Sequence, residues 1–231
     1  ATEDLRRRGH PPGPIFEIID ADGVGVAGTV PKYGELGGAL ITFDPASGDH
    51  TVHRDVVPDQ SVVALAYRGG KVYGGTTIHG GLSSTPSTDE AHLFVFDLAS
   101  GTRERLLVPV PGSETVSTLA FGGDDEVLWG VTFDNVLFRY QVAASKVTHR
   151  VDLGLPREGA NWGRVPTLKY RPQDGLFYGV AGHTFFSFDP ETKEKNVISD
   201  TAPYATLEIT EAGKIYLISD TNVYTYTPSG A

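Results

Sequence analysis

The sequence has 231 residues, 39% of them hydrophobic, with 28 Gly, 15 Pro and a formal net charge of −10. This composition is typical of a turn-rich globular chain, and the length suits one all-β domain. The acidic balance argues against a nucleic-acid binder, because phosphate binding needs a basic surface. No apolar run approaches the roughly 20 residues that cross a bilayer, so we expect no membrane insertion. The absence of cysteine excludes disulfides, thiolate metal sites and cysteine nucleophiles.

The first segment, residues 1–14, is polar and then proline-rich, so we expect no regular element there beyond a short outer strand over Thr2–Arg8. From Ile15 onward, apolar residues alternate at period two, and no stretch has the pattern of an amphipathic helix. The Asp22-Gly23 pair between IFEII and VGVAGTV predicts a hairpin with a type I′ turn.

The same strand-turn unit recurs five times along the chain. Its predicted spans are residues 15–57, 61–110, 115–153, 166–199 and 204–228. The aromatic that ends each third strand lies at Phe43, Phe96, Tyr140, Phe188 and Tyr226. A four-stranded unit with a period of roughly 40–45 residues is that of a β-propeller blade.

The last unit lacks a fourth strand. An open stack of blades would leave two long strand edges unpaired, which is a liability in solution. The sequence therefore predicts an all-β propeller with five recognisable blades, either a five-bladed ring closed by Thr2–Arg8 or part of a larger ring.

The runs PKYGELGGALITFDPASG, VYGGTTIHGGLSSTPSTDEAHLFVFDLASG and LFYGVAGHTFFSFDPETK resemble WD40/YVTN-like propeller modules of large exported proteins from actinobacteria and other Gram-positive bacteria. The resemblance covers about residues 15–228. It implies the propeller fold, further blades before this stretch, and neighbouring carbohydrate-active or adhesive domains. The Trp-Asp and Gly-His signatures of true WD40 repeats are absent, so a scaffold role of that kind is not implied.

The chain begins Ala1-Thr2-Glu3 without an initiator Met, which fits either a processed, exported protein or an excised segment. Together with the resemblance, this favours an extracellular, secreted location.

An aromatic-Asp turn follows the third strand at Asp44, Asp97 and Asp189. A repeated metal or ligand site is one interpretation. The turn chemistry favours another, because Asp at the start of a tight turn accepts hydrogen bonds from the backbone N–H groups that follow it. No His, Asp and Glu cluster has metal-ligand spacing, and we expect no metal and no cofactor.

Residues 78–91 are the longest departure from the repeat, and long loops on a rigid frame are where function is commonly placed. His79 in this insert, together with Lys32 and Tyr33 of the preceding unit, is a candidate ligand-binding surface. His79 and Tyr33 would also suit the base and acid of a polysaccharide lyase acting on acidic glycans. The alternative is an ordinary polar loop that carries one histidine.

A second candidate binding loop contains Asn161, Trp162 and Arg164. An exposed Trp beside Asn and Arg would stack on a sugar ring and bind its hydroxyls, whereas the alternative is a Trp that seals the top of a blade. Trp129 occupies the place of Tyr73 and Tyr178 in the repeat, which predicts a core position between blades.

These observations favour a non-catalytic binding module whose partner is a glycan or a neighbouring protein subunit. The rivals are the polysaccharide lyase and a purely structural partner, in which blades of another chain or segment complete a larger propeller.

Overall fold

Period-two alternation produces β-strands along the whole described chain. A computed structural model describes residues 14–157, 166–201, 205–219 and 221–228, and these contain no helix. Five antiparallel sheets follow one another, and in each of them strands adjacent in sequence are neighbours. The predicted fold class is confirmed: the protein is an all-β propeller with five blades.

Contacts divide the chain into two compact units, Ala1–Val116 and Ser117–Ala231. The first unit holds two four-stranded sheets. The strands of the first sheet are β1 (Ile15–Ala21), β2 (Val24–Thr29), β3 (Ala39–Phe43) and β4 (His50–Arg54). Those of the second sheet are β5 (Ser61–Arg68), β6 (Lys71–Thr77), β7 (Leu93–Asp97) and β8 (Thr102–Leu107).

The second unit holds the other three sheets. The first of them begins at Val116, which is the last residue of the first unit. Its strands are β9 (Val116–Phe121), β10 (Val127–Thr132), β11 (Val136–Gln141) and β12 (Lys146–Asp152). The next sheet has β13 (Thr167–Arg171), β14 (Leu176–Ala181), β15 (Thr184–Phe188) and β16 (Lys195–Ser199). The last has three described strands, β17 (Thr206–Ile209), β18 (Ile215–Ile218) and β19 (Val223–Tyr226). The predicted closing segment, Thr2–Arg8, lies outside the described residues.

The hairpin turns follow the local sequence. Asp22 and Gly23 both have positive φ, 54° and 86°, which is the geometry of the predicted type I′ turn. Asp20 Oδ1 accepts a hydrogen bond from the Gly23 N–H at 3.0 Å. In the second sheet, Gly69 and Gly70 between β5 and β6 also both have positive φ, 58° and 78°.

A glycine on the second strand lies directly opposite a phenylalanine on the third strand in four of the sheets. The pairs are Gly25–Phe43, Gly74–Phe94, Gly130–Phe138 and Gly179–Phe186. In every pair the ring covers the glycine so closely that a Cβ there would lie 2.0–2.4 Å from the ring Cζ atom. The glycine therefore provides the space in which the ring of the next strand packs.

Each unit has its own apolar core between sheets. In the first unit the core includes Val26, Leu40, Val62, Leu65, Val72 and Phe94. In the second unit Trp129 packs with Phe177 and Phe188, at ring-centroid distances of 6.0 and 5.3 Å. Trp129 is 2% exposed, which confirms its predicted core position. The fourth strand β8 is exposed along most of its length, as an outer strand facing water should be.

Candidate functional site

The insert between β6 and β7 docks on the loop between β2 and β3. The Gly34 N–H donates to the Leu82 carbonyl, and the Gly81 N–H donates to the Glu35 carbonyl, both at 2.8 Å. A Cβ at Gly81 would lie 1.6 Å from the Lys32 carbonyl oxygen. Only glycine permits this approach, so two backbone segments from neighbouring blades are held against each other.

Gln60 anchors the two ends of the insert. This side chain is 1% exposed, and its amide N–H₂ group donates to Thr88 Oγ1 at 3.0 Å and to the Glu90 carbonyl at 2.8 Å. Its amide oxygen accepts from Thr76 Oγ1 and lies 3.2 Å from His92 Nδ1. Burial lowers the pKa of His92, which favours a neutral ring in this network. The insert is thus tied to the blade at both ends.

Tyr33 and Leu82 are exposed side by side where the two loops meet. Tyr33 is 74% exposed and Leu82 is 67% exposed. The Tyr33 hydroxyl accepts a hydrogen bond from Ser83 Oγ at 2.8 Å, so the exposed ring is held in one position by the insert. We call Tyr33, Leu82 and Ser83 the platform. The platform combines two large exposed side chains with two hydroxyl groups, and backbone hydrogen bonds join the two loops that carry it.

His79 lies at the start of the insert and pairs with an acidic residue that the sequence did not single out. Its Nε2 atom is 3.1 Å from Glu114 Oε2, and its carbonyl accepts from Ser61 Oγ at 2.8 Å. Glu114 lies 35 residues further along the chain, in the connection between β8 and β9. No local motif marks it, because only the fold brings the two residues together.

The three predicted ligand-binding residues of these loops lie in different surroundings. Lys32 lines a small cavity of about 100 Å³ together with Glu35, Arg54 and Asp55. The Tyr33 hydroxyl bonds Ser83, and the His79 ring bonds Glu114. Within the described part of the chain, Tyr33 and His79 do not hydrogen-bond to each other. Asn161, Trp162 and Arg164, the other predicted contacts, lie outside the described residues.

The recurrent aspartates cap turns. Asp44 Oδ1 accepts from the Ala46 N–H, Asp97 Oδ1 from the Ser100 N–H, and Asp189 Oδ1 from the Glu191 N–H, each at 2.7 Å. These backbone hydrogen bonds lower the pKa of all three carboxyl groups. The turn-capping interpretation is sufficient for all of them.

Residues 14–157, 166–201, 205–219 and 221–228 contain no group of three or more His, Asp or Glu side chains arranged to hold a metal ion. Nothing helical in that part of the chain has the length and apolar character that a membrane crossing requires.

Comparison with known proteins supports the fold. No protein-family model matches the sequence, and no curated protein does. The structure is similar to a crystal structure of a protein of unknown function from Bacteroides thetaiotaomicron VPI-5482, with a TM-score of 0.65 and 18% sequence identity. That similarity covers 90% of this chain and 52% of the other, so this chain spans about half the length of its structural neighbour. In all, 1262 chains of solved structures match, and a fold that is so widely shared does not by itself select a function.

Proposed function

We propose that this protein is a non-catalytic binding module of an exported protein, and that the platform holds a glycan. One observation carries the proposal: the Tyr33 ring is 74% exposed, yet its hydroxyl is fixed by Ser83. An exposed aromatic ring held in one orientation loses little conformational entropy when a ligand stacks on it. The backbone hydrogen bonds between the two loops provide the same advantage for the surface as a whole.

A sugar ring matches the chemistry of this surface. Its C–H face stacks on an aromatic ring, and its hydroxyls donate to and accept from polar groups at the edge of the ring. Ser83 lies beside Tyr33, and Lys32 precedes it in the same loop. Asn161, Trp162 and Arg164 remain a second predicted binding loop, separate from the platform. The resemblance to exported modules that neighbour carbohydrate-active domains supports the same ligand class and an extracellular location.

A lyase mechanism is the less favoured alternative. In the described structure the His79 ring is paired with Glu114 and the Tyr33 hydroxyl with Ser83. A base and an acid of one reaction would have to reach the same sugar, and no contact joins these two side chains. We therefore treat the two residues as parts of a binding surface.

Binding to a glycan array tests the proposal. We expect the intact chain to bind at least one glycan class, and Tyr33→Ala to weaken that binding by about tenfold or more, since about 1.4 kcal/mol changes affinity tenfold. Tyr224→Ala is the matched control, because Tyr224 is also an exposed tyrosine, on β19. This control should bind as the unmodified chain does.

A second pair of variants tests whether glycan binding needs the docked insert as well as the Tyr33 ring. Gly81→Val would place a side chain against the Lys32 carbonyl and loosen the insert, while Thr85→Ala changes an exposed position in the same insert. We expect the first to lose glycan binding with the rest of the fold intact by circular dichroism, and the second to retain binding. Binding unaffected by Tyr33→Ala, capture of a protein partner without any glycan, or release of unsaturated sugars from an acidic polysaccharide would each overturn the proposal.

A further inference from the structure

A second candidate site is a cavity of about 470 Å³ within Ser117–Ala231. Trp129 and Tyr170 provide its aromatic lining, Arg139 lies on one side, and the exposed residues Asp124 and Glu191 lie at the rim. Small-molecule sites commonly have volumes of about 300–1,000 Å³ and combine apolar walls with a few polar groups. The size and lining of this cavity therefore match those of a ligand site.

The neighbouring pair of blades explains why the cavity exists. Tyr178 on β14 holds the same place in its strand as Trp129 on β10. There the buried Arg171, at the end of β13, donates through Nε to the Gly213 carbonyl of the next blade at 2.8 Å. The run TLAF that ends at Phe121 matches the run TLKY that ends at Tyr170, so Gly122 holds the place of Arg171 in the repeat. Glycine has no side chain that could bridge to the next blade, and Gly122 lines the cavity beside Trp129.

The polar group of Trp129 differs from that of its counterpart. The Tyr178 hydroxyl donates to Asp174 Oδ2 at 2.7 Å. The Trp129 residue is only 2% exposed, and no described residue bonds its indole N–H, but that N–H is not fully buried, so water can reach it. An accessible Trp N–H is a hydrogen-bond donor that a bound ligand can use in place of water. Since Trp129 lines the cavity, a ligand there could accept from this N–H.

The other polar groups of the cavity include hydrogen-bond donors and acceptors, so a ligand that pairs with all of them must both accept and donate. Arg139 uses one guanidinium N–H on Thr148 Oγ1 at 2.9 Å and has further N–H groups to donate. The carboxylates of Asp124 and Glu191 accept. Tyr170, whose ring packs on Phe177 at 5.1 Å, contributes a hydroxyl that no described residue bonds.

We propose that this cavity binds a single neutral sugar ring. Sugar hydroxyls both donate and accept, so they satisfy the indole N–H, the guanidinium and the two carboxylates without carrying charge. The C–H face of the ring fits the aromatic lining. A simple anion would meet two carboxylates and a simple cation would meet the guanidinium, so neither is favoured. A zwitterionic amino acid is the competing ligand class that the test must separate.

This site is independent of the platform. All the residues that line the cavity lie within Ser117–Ala231, whereas the platform lies within Ala1–Val116. Failure of one proposal therefore leaves the other standing, and Tyr33→Ala should not alter binding in the cavity.

Intrinsic fluorescence gives a direct test, because the chain has 2 Trp. The variant Trp162→Phe leaves Trp129 as the only tryptophan, and it is titrated with glucose, galactose, mannose and N-acetylglucosamine. We expect a saturable change in emission with at least one sugar, with a dissociation constant on the order of 1 mM. Isothermal titration of the Tyr33→Ala variant provides a second measurement in which the platform ring is absent.

The change Glu191→Ala removes one rim carboxylate from an exposed turn. We expect it to weaken sugar binding by about tenfold, while Glu194→Ala in the same turn, outside the cavity lining, leaves binding unchanged. The proposal is overturned if no sugar gives a saturable change in either measurement. It is equally overturned if glycine or alanine binds in place of the sugars, or if Glu191→Ala binds sugar as tightly as Glu194→Ala.

Discussion

At the scale of single residues, the recurrent aspartates are turn caps whose charge contributes to stability. Each of Asp44, Asp97 and Asp189 accepts backbone N–H hydrogen bonds in its ionised form. These bonds lower the pKa of each carboxyl below its ordinary value of 3.8. A carboxyl whose pKa is lower in the folded than in the unfolded state stabilises the fold above the unfolded value and loses that contribution as the pH falls through the folded value.

We predict a pH-dependent loss of stability when all three aspartates are changed to Asn. Asn retains an acceptor oxygen but has no charge, so its hydrogen bonds to the backbone are weaker. The triple variant should have a lower urea midpoint than the unmodified chain at neutral pH. The gap should narrow as the pH falls below about 3.8, because the native carboxyls then become neutral as well.

Asp49→Asn is the control for this experiment. Asp49 is exposed in the same turn as Asp44, and its side chain makes no hydrogen bond to any residue that the structure describes. If the difference in urea midpoint between the triple variant and the unmodified chain stays constant across the acid range, the charge of the three aspartates does not contribute to stability.

At the scale of elements, the glycine–phenylalanine pair is the contact that repeats from blade to blade. Gly74 and Phe94 lie directly opposite each other on β6 and β7, and the ring occupies the space that a side chain at Gly74 would need. The sequence analysis singled out the aromatics that end the third strands. In the second, third and fourth sheets, however, the ring over the glycine lies two residues earlier, at Phe94, Phe138 and Phe186.

We predict that Gly74→Ala destabilises the protein by about 1–3 kcal/mol, because the core around Phe94 is already filled. Phe94→Leu alone should also destabilise, by removing buried atoms. The two changes together should cost about 1 kcal/mol less than their sum, since Leu leaves room for the new methyl group. Thermal denaturation of the four proteins measures this coupling, and strictly additive changes would contradict the proposed contact.

The insert is another feature of the element scale. Its length and glycines marked it in the sequence, but its function as a support for Tyr33 depends on Gly34, Gly81 and Ser83 contacts between two blades. Local patterns do not encode the partner of a loop. The sequence therefore marked the insert as a candidate site, and the structure identified Tyr33 as the residue that the insert contacts.

At the scale of the whole molecule, the charge of −10 has a consequence for partners. Association with a polyanion releases counterions only where lysines and arginines cluster, and this chain has 19 of them against 29 acidic residues. We predict no measurable binding to duplex DNA or to vesicles rich in anionic lipid at moderate ionic strength. Binding that weakens steeply as salt is raised would contradict this prediction, and sedimentation with vesicles and a DNA mobility shift measure it.

The two proposed binding sites belong to different compact units of the chain. The platform belongs to the unit Ala1–Val116, and the cavity beside Trp129 belongs to the unit Ser117–Ala231. Each proposed site combines aromatic surface with hydrogen-bonding groups, which is the combination that sugars require. The repeated blade provides the frame, and both proposed sites lie where the chain departs from the repeat.

The sequence by itself determined the strands, the turns and the fold class. Alternation at period two, Asp-Gly turns and a repeated unit are short-range patterns, and the physics that they reflect acts within a few residues or between adjacent strands. The three described strands of the last sheet and the buried Trp129 followed from the same repeat.

Only the tertiary structure decided which side chains meet. His79 pairs with Glu114, and Tyr33 is bonded by Ser83, across 35 and 50 residues of chain. Beside the cavity, Gly122 holds the place that Arg171 has in the next blade, and a glycine cannot make the side-chain bridge that Arg171 makes to the Gly213 carbonyl. Such contacts depend on how blades pack side by side, and no local pattern carries that information.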